Sequence, residues 1–350
     1  MSDQPLVVLD ADVLGRRRTG DETYVSALLR ELPQLAADIR FAAVTRRPDL
    51  VPAGVEPIEL PARSQPPRMA WSFPRLLRRL RPDVGHFQHV VPPRFRGRSV
   101  VTVHDLSFER DPAWMGARDR LVFKTMVPRS ARRAHRVITV SERTKQDVIE
   151  HYGIDPAKVV VIPNGVDPHY RPDGARHNGA PYLLFVGALQ PRKDPLVAIE
   201  ALELTNTDLR LVVVGPDKGS GAEVRRAVER LGLGGRVELA GHVERDELAS
   251  LYRGASALVF PSRYEGFGLP IVEAMASGTP VVAAAAGAVP EIAGDAAVLV
   301  EPGDAVALAG GIERALADRE RLVEAGLERA RQFSWTETAR RTLAVYRELL

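Results

Sequence analysis

Short apolar runs alternate with helix-like patterns along the first half of the chain. Residues 6–9 are continuously apolar and too few for a helix, which is typical of a buried strand. Residues 24–32 predict a helix, because apolar residues recur there at helical spacing: Tyr24, Leu28, Leu29 and Leu32. Further strands are predicted at 41–44, 83–87, 99–103 and 136–140. β-branched runs separated by helices indicate a parallel sheet that is covered on both faces.

The second half repeats this plan. Strands are predicted at 182–186, 209–214, 237–239, 257–260, 280–283 and 297–300, with helices at 196–202, 222–231 and 246–252. Between the halves, residues 163–181 are rich in proline and glycine and form the best domain boundary. The pattern therefore predicts two doubly wound α/β units in tandem. In such sheets ligands bind beyond the carboxyl ends of the strands, and a cleft between two domains is a favoured site.

The composition is that of a soluble globular protein. The 350 residues suffice for two domains, and 45% are hydrophobic and 27% charged. There is no cysteine, which excludes disulfides, thiolate metal sites and a cysteine nucleophile. No apolar run approaches the roughly 18–20 residues of a membrane span, and residues 1–5 do not resemble a signal peptide. We therefore expect a cytoplasmic protein.

The charge is unevenly distributed. Residues 1–172 hold 28 Lys/Arg and 20 Asp/Glu, a balance of +8, whereas residues 173–350 hold 20 and 25, a balance of −5. A basic half suggests an anionic partner such as a phospholipid surface, and the alternative is scattered, solvated arginines. Residues 68–81 are basic and amphipathic, and fit either a membrane-surface helix or a helix that covers the sheet. The second interpretation is favoured, since the segment leads directly into a strand.

Two carboxylates at Glu265 and Glu273 flank a turn of glycines, Gly266-Phe267-Gly268-Leu269-Pro270. A small-residue helix follows, so the turn should present backbone N–H groups at a helix N-terminus, which favours an anion. This arrangement suits a ligand with a negatively charged middle and hydroxyl groups at both ends, and a sugar nucleotide has that shape. The alternative role of the two glutamates is helix capping and compensation of the helix dipole.

Several segments resemble one family. The strong matches are residues 186–194, 265–273 and 274–282, and the weaker ones are 102–105, 140–142 and 162–167. They resemble the GT4 retaining glycosyltransferases, which have the GT-B fold. The resemblance implies two facing Rossmann-like domains with an interdomain cleft, and a C-terminal helix that crosses back to the N-terminal domain. The expected domains are 1–170 for the acceptor, 171–332 for the nucleotide sugar, and the helix at 333–350.

The resemblance also implies site residues in the second domain. Glu265 would bind hydroxyls of the donor sugar, Glu273 the ribose, and Arg192 with Lys193 the diphosphate. The backbone of Gly266, Phe267, Gly268 and Leu269, together with Gly187 and Val243, would complete the donor site. Many relatives carry Gly-Arg at the end of the strand, where this chain has Gly187-Ala188 and a later basic pair. A solvated Arg-Lys pair is the alternative for the two cations.

In the first domain, the resemblance implies that His104 contacts the donor sugar and belongs with Arg192, Lys193 and Glu265 among the catalytic residues. Asp105 would orient its ring or serve the acceptor. His86 and His89 would either line the acceptor side or be structural, and the structural interpretation is favoured. A metal site is not expected at these two histidines, because no acidic partner is near in sequence.

The loop after the first strand departs from the family pattern. Relatives often have Gly-x-Gly-Arg-Tyr here, whereas this chain keeps Gly20 and Tyr24 but has Asp21 and Glu22 between them. The two acids would engage acceptor hydroxyls or cap the helix that follows.

The sequence therefore predicts a retaining hexosyltransferase in polysaccharide biosynthesis that needs no metal or cofactor. Its donor would be an α-linked nucleotide diphosphate sugar, GDP-mannose or a UDP-sugar, and its acceptor a hydroxyl of a saccharide, a glycolipid or a small metabolite. The alternatives are a GT-B nucleotide-sugar epimerase and a non-catalytic nucleotide-sugar-binding protein. Peripheral contact with the inner face of the membrane is a further expectation, and no nucleic-acid partner is expected.

Overall fold

The computed structural model describes residues 4–16, 19–61 and 68–350. Contacts divide the chain into unit 1, Met1–Glu109 with Ala117–Gly165 and Ser334–Leu350, and unit 2, Arg110–Gly116 with Val166–Phe333. The expected domains did not anticipate that the short segment Arg110–Gly116 belongs to unit 2. Residues 1–3, which entered the signal-peptide argument, lie outside the described residues.

Unit 1 contains a parallel sheet that has seven strands within the described residues. They are β1 (Leu6–Asp10), β2 (Arg40–Thr45), β3 (Glu56–Glu59), β4 (Val84–Gln88), β5 (Arg98–Val103), β6 (Arg136–Thr139) and β7 (Val159–Val161). Their order is β3-β2-β1-β4-β5-β6-β7. The five predicted strands are confirmed, and β3 and β7 were missed. β3 is a largely exposed edge strand of sequence Glu-Pro-Ile-Glu, which explains its lack of an apolar run.

Helices connect these strands: α1 (Thr19–Leu35), α2 (Phe73–Leu80), α3 (Ser107–Arg110), α4 (Ala117–Arg133) and α5 (Glu142–Tyr152). A single wide helical turn, Arg68–Ser72, precedes α2. Leu77 of α2 is buried, as expected for a helix that covers a sheet, whereas Trp71 is 58% exposed.

Unit 2 contains a second parallel sheet, with the order β10-β9-β8-β11-β12-β13 in the described chain. Its strands are β8 (Tyr182–Val186), β9 (Arg210–Val214), β10 (Val237–Gly241), β11 (Ala257–Phe260), β12 (Val281–Ala284) and β13 (Val298–Val300). Its helices are α6 (Pro195–Leu204), α7 (Gly221–Arg230), α8 (Arg245–Gly254), α9 (Leu269–Ala276), α10 (Val289–Ala293), α11 (Ala305–Ala317) and α12 (Arg319–Ala330). All six predicted strands are confirmed.

Strand β8 shows why these runs lack polar alternation. Leu183 and Phe185 join the core on one face of the sheet, whereas Tyr182 and Leu184 join the core on the other. Successive side chains of a strand point to opposite faces, so a strand buried on both faces must be apolar at every position. Polar residues become possible where the strand ends, and the candidate sites lie there.

The last helix, α13 (Trp335–Arg347), belongs to unit 1 and packs against α1. Ser334 is its N-cap, as the sequence suggested, because its hydroxyl accepts the N–H of Glu337. A Cβ at Gly165 would lie 2.1 Å from the backbone nitrogen of Trp335, so this close approach requires glycine. The expected return of the C-terminal helix to the N-terminal domain is confirmed.

Candidate functional site

The best-organised cluster of charges in unit 2 surrounds Glu265. A short 3-10 turn, Pro191–Lys193, follows β8 and carries the two cations. Arg192 Nη1 donates to Glu265 Oε2 at 3.0 Å, and Lys193 Nζ forms a short ion pair with Glu265 Oε1. Lys193 Nζ also lies 5.2 Å from the centroid of the Phe260 ring. The structure thus brings together three of the four predicted catalytic side chains.

Glu265 remains ionised despite its burial. Its residue is only 7% exposed, and burial alone would raise the pKa of its carboxyl group. The charges of Lys193 and Arg192, with hydrogen bonds from Lys193 and Ser262, outweigh this and hold the pKa below its usual range. The cluster carries two cations and one anion, so it retains one positive charge.

Backbone contacts fix the basic turn to the Glu265 loop. The Arg263 N–H donates to the Arg192 carbonyl at 2.8 Å, and Arg192 Nη1 donates to the Tyr264 carbonyl at 2.7 Å. Arg263 Nε also donates to Asp194 at 2.7 Å. The Tyr264 ring stacks on Trp114, at 6.4 Å between centroids. The segment Arg110–Gly116 therefore supports this loop, a role that the sequence analysis missed.

A glycine on the far side of the loop makes room for Glu265. Gly287 has φ +59°, and a Cβ there would lie 2.4 Å from the Glu265 carbonyl oxygen. The next residue, Ala288, donates its N–H to that carbonyl at 2.9 Å. Any side chain at position 287 would displace the loop.

The glycine turn leads into α9 as predicted. Gly268 adopts φ +99° as the residue before the helix, and Pro270 occupies the first turn. Phe267 is buried and packs edge-to-face against Phe333, at 5.5 Å between centroids. Its side chain is therefore an anchor, which leaves the backbone of the turn to face a ligand.

Glu273 lies one turn inside α9, half-buried, and is not in the Glu265 cluster. Tyr252 donates its hydroxyl to Glu273 Oε2 at 2.8 Å, and its ring packs against Tyr170 at 5.6 Å between centroids. The pKa of Glu273 is raised to about 7, mainly by desolvation and to a smaller extent by the charge of Asp167. The hydrogen bond from Tyr252 and the charge of Arg245 act in the opposite direction. At neutral pH this carboxyl group is therefore half-ionised.

Four residues around Glu273 were not singled out from the sequence: Asp167, Tyr170, Arg245 and Tyr252. Asp167 and Arg245 form an ion pair that ties the start of unit 2's main segment to α8. For Tyr252, the sequence did offer a signal, because this residue lies on the apolar face of α8, which predicts that it is buried. The other predicted donor residues lie nearby in the fold: Gly187 directly follows β8 beside Lys193, and Val243 packs against the core that contains Tyr252.

In unit 1, the predicted site residue His104 follows β5. His104 Nε2 is hydrogen-bonded to Gln88 Oε1 at 2.8 Å, and its ring packs edge-on against Tyr24 at 4.9 Å between centroids. Burial lowers the pKa of His104 to about 4; Asp21 and Asp105 oppose this and His89 adds to it. The imidazole is therefore neutral at physiological pH.

Asp105 and the altered loop have clear local partners. Asp105 Oδ1 accepts the N–H and the hydroxyl of Ser107, at 3.0 and 2.9 Å, and so caps α3. Glu22 accepts the N–H of Gly15 at 2.6 Å and stabilises the loop before α1 rather than its own helix. A Cβ at Gly20 would meet nothing within 4 Å.

His86 is a buried structural residue, in line with the sequence interpretation. Its two ring nitrogens are hydrogen-bonded to the hydroxyls of Tyr346 at 2.5 Å and Thr102 at 2.7 Å. Burial lowers its pKa to about 3, with a smaller contribution from His104. The network ties α13 to the centre of the unit 1 sheet.

A metal site was not expected beside His89 for lack of an acidic partner, but the fold supplies one. An acidic residue is distant in sequence, but the fold brings Asp21 to His89 and His104, and ligand atoms of all three lie within 4.8 Å of one another. These residues follow or begin three separate elements, α1, β4 and β5, so sequence spacing alone could not reveal the cluster.

A second charge network at the end of β1 was also missed. Asp10 and Asp12 are buried, and both pair with the buried Arg68. Arg46 makes a bidentate contact with Asp12, at 2.7 and 3.0 Å. Burial raises the pKa of Asp10, and Arg68 opposes this. The signal was available, because both acids directly follow a buried apolar run.

Two family models match adjacent parts of the chain. The model described as "Glycosyltransferase Family 4" matches residues 18–170, and "Glycosyl transferases group 1" matches residues 166–332. The first covers most of unit 1 but not its C-terminal segment, Ser334–Leu350, and the second covers Glu265 and Glu273. The described residues contain no helix long and apolar enough to cross a membrane.

Curated relatives carry glycosyltransferase names. "O-antigen chain mannosyltransferase B" of Escherichia coli is 29% identical over 81% of this chain and 78% of its own length. "D-inositol 3-phosphate glycosyltransferase" of Geodermatophilus obscurus is 36% identical over 61% of this chain. The chain spans only 52% of that relative's length. These names do not favour the epimerase alternative.

A solved structure has the same fold over nearly the whole chain. The sucrose-phosphate synthase of Thermosynechococcus elongatus superposes with a TM-score of 0.80, at 24% identity, over 99% of each chain. Both Rossmann-like units thus have the GT-B class of fold that the resemblance implied. The two matching family models, which together span residues 18–332, show that the chain is a glycosyltransferase and belongs to the GT4-type group 1 glycosyltransferases.

Proposed function

We propose that this glycosyltransferase is a retaining enzyme that takes its sugar from an α-linked nucleotide diphosphate sugar bound by unit 2. The observation that carries the proposal is the partly buried cluster of Arg192, Lys193 and Glu265 beside the N-terminus of α9. Its excess positive charge suits a diphosphate, and its ionised carboxylate suits sugar hydroxyls.

In this scheme the two cations act on the leaving group. As the bond from the anomeric carbon to the phosphate oxygen breaks, negative charge builds up on the diphosphate. Arg192 and Lys193 are held in place by Glu265 and by backbone carbonyls, so they stabilise that charge without reorganising. The acceptor oxygen would bond to the anomeric carbon from the same side, and a phosphate oxygen of the leaving group would take its proton. This sequence needs no metal ion and no protein nucleophile.

Glu273 would bind the ribose hydroxyls. Tyr252 occupies only one carboxylate oxygen, Oε2, with its hydrogen bond. The interaction with a vicinal diol requires the ionised acceptor form, so donor affinity should depend on the protonation of this residue.

For the donor we propose GDP-mannose first, because a relative that matches 81% of this chain is named a mannosyltransferase. UDP-sugars are the second candidates. The acceptor would be a saccharide hydroxyl, as the name "O-antigen chain mannosyltransferase B" suggests. The second candidate is a polar phosphorylated metabolite, as the name "D-inositol 3-phosphate glycosyltransferase" suggests. We further propose cytoplasmic action with peripheral membrane contact by the basic unit 1, where Trp71 is exposed on the turn before α2 and Leu121 and Val122 are exposed on the basic helix α4.

A thermal-shift screen of sugar nucleotides tests the donor proposal, because a ligand specific to the folded state raises the melting temperature. The selected donor is then incubated with acceptors in EDTA, and the anomeric configuration of the product is read by NMR. Transfer with retention in EDTA supports the proposal. Inversion, or strict dependence on Mg²⁺ or Mn²⁺, contradicts it, and conversion of the donor without an acceptor would indicate an epimerase.

A further inference from the structure

Three potential metal ligands meet at the carboxyl edge of the unit 1 sheet. His89 directly follows β4, His104 directly follows β5, and Asp21 lies in the first turn of α1. β4 and β5 are hydrogen-bonded neighbours, so their ends lie side by side. One ligand atom from each residue lies within 4.8 Å of the other two.

The spacing is close to that of a tetrahedral metal site. Metal–ligand bonds of about 2.0–2.1 Å place ligand atoms about 3.3 Å apart, so the side chains would have to draw together by up to about 1.5 Å. Rotations about side-chain bonds supply such a movement, and the side chains of Asp21 and His89 are only partly buried. The donor set of two imidazoles and one carboxylate is typical of zinc sites that keep a fourth position open.

The surroundings of the two histidines resemble a supporting shell for a metal. Histidines that bind metals usually pair their second nitrogen with an oxygen, which fixes the orientation of the ring. Here His104 Nε2 is paired with Gln88 Oε1 at 2.8 Å, which leaves Nδ1 as the ligand atom. The Tyr24 ring packs against this imidazole from the side.

His89 supplies an independent observation. Its backbone adopts φ +58°, which is uncommon for a residue with a side chain. Its Nδ1 is buried and has no hydrogen-bond partner among the residues that the structure describes. Buried polar atoms are nearly always satisfied, and a bound cation in this cluster would account for the exception.

We infer that Asp21, His89 and His104 form a binding site for a divalent transition-metal ion such as Zn²⁺, and that its occupation inhibits the enzyme. The carboxylate balances part of the charge of the ion, and both imidazoles can bind it in neutral form. The inhibition rests on the proposed function together with the family resemblance, which implies that His104 contacts the donor sugar. A metal ion bound to His104 would prevent its imidazole from contacting the sugar and would occupy the space beside it.

The binding step is tested without reference to activity. The whole chain, freed of metal with a chelator and desalted, is titrated with Zn²⁺ in competition with a chromophoric chelator. We expect one ion per chain. Loss of a residue that supports a metal ligand typically weakens metal binding about 10–100-fold. His89→Ala and Asp21→Asn each remove a ligand and should weaken Zn²⁺ binding by at least as much. Gln88→Ala removes a supporting residue and should weaken it by about tenfold. His242→Ala, which changes an exposed histidine of unit 2, is the matched control.

The inhibition step is tested separately. Zn²⁺ should inhibit sugar transfer by the wild-type chain, and EDTA should restore it. The activity of His89→Ala, whatever its level, should be insensitive to Zn²⁺. Equal affinity of the wild type, His89→Ala and Asp21→Asn, with matched melting temperatures, overturns the site. Tight binding without inhibition overturns its inhibitory role, while failure of the donor screen alone leaves the binding result standing.

Discussion

The affinity of unit 2 for a sugar nucleotide should depend on pH through Glu273. Desolvation raises the pKa of this carboxyl group to about 7, and its ionised form accepts hydrogen bonds from the two hydroxyls of a ribose more strongly than its protonated form does. The affinity should therefore fall as the pH falls through neutrality. Most carboxylates titrate near pH 4 and would leave binding unchanged in this range.

The magnitude follows from the titration. With a midpoint near 7, the ionised fraction falls from about 0.9 at about pH 8 to about 0.1 at about pH 6, so Kd should rise about tenfold, or about 1.4 kcal/mol. The assay is calorimetry with an intact sugar nucleotide. A free nucleoside diphosphate is unsuitable, because its terminal phosphate titrates at about pH 6.

Two variants separate Glu273 from other groups. Glu273→Gln should bind more weakly at high pH and show little pH dependence. Tyr252→Phe keeps the ring contact with Tyr170 but removes a hydrogen bond that lowers the pKa of Glu273, so its midpoint should move to higher pH. Tyr182→Phe is the control, since that hydroxyl donates to the Leu251 carbonyl at 2.7 Å instead.

The assignment of this pH dependence to Glu273 is refuted if Glu273→Gln retains the tenfold change in Kd of the wild type. It is also refuted if Tyr252→Phe and Tyr182→Phe shift the midpoint equally. Either outcome would assign the titration to another group, or would show that the ribose binds elsewhere.

The same geometry makes four further predictions. Glu273→Gln should raise the free energy of unfolding by about 1–2 kcal/mol at about pH 8. The pKa of Glu273 is raised on folding, so the wild type loses stability as the pH rises from about 4.5 to 7, whereas glutamine does not ionise. Denaturant unfolding of both proteins at about pH 5 and 8 measures this difference. Lys193→Met should lower kcat at least about 100-fold, with a smaller effect on donor binding, since its charge acts on the leaving group; equal losses in kcat and affinity would argue against that role. Gly287→Ala should cost at least about 2 kcal/mol through both its positive φ and its clash, whereas Gly232→Ala, with φ +67° and open space, should cost less; chemical denaturation of both variants compares the two terms. Tyr346→Phe should cost about 1–3 kcal/mol by leaving a buried imidazole unsatisfied, and a normal midpoint of unfolding would contradict this.

The strands could be predicted because their pattern is local. Leu183, Leu184 and Phe185 are apolar in succession, and burial on both faces of a parallel sheet is the condition that produces such a run. The edge strand β3 escaped prediction for the same reason, since its exposed residues have no need to be apolar.

The core of the proposed donor site was also accessible from the sequence. Glu265, the glycine turn and Glu273 are consecutive parts of one strand–turn–helix segment, so their spacing along the chain largely decides their spacing in the fold. Arg192 and Lys193 follow the neighbouring strand β8, and the carboxyl ends of adjacent parallel strands meet at one edge.

What the sequence could not decide is which distant residues meet. Tyr252 reaches Glu273 from another helix, and Arg68 reaches Asp10 across 58 positions of the chain. Asp21, His89 and His104 come together only because β1, β4 and β5 are neighbours in the sheet order, with α1 following β1. Apolar periodicity records whether a residue is buried, but the partner of a buried polar group depends on how the strands are ordered. By itself, the sequence therefore determined the family and the two α/β units and proposed the donor-site residues, whereas the tertiary structure decided that Tyr252 contacts Glu273 and that His89 and His104 group with Asp21.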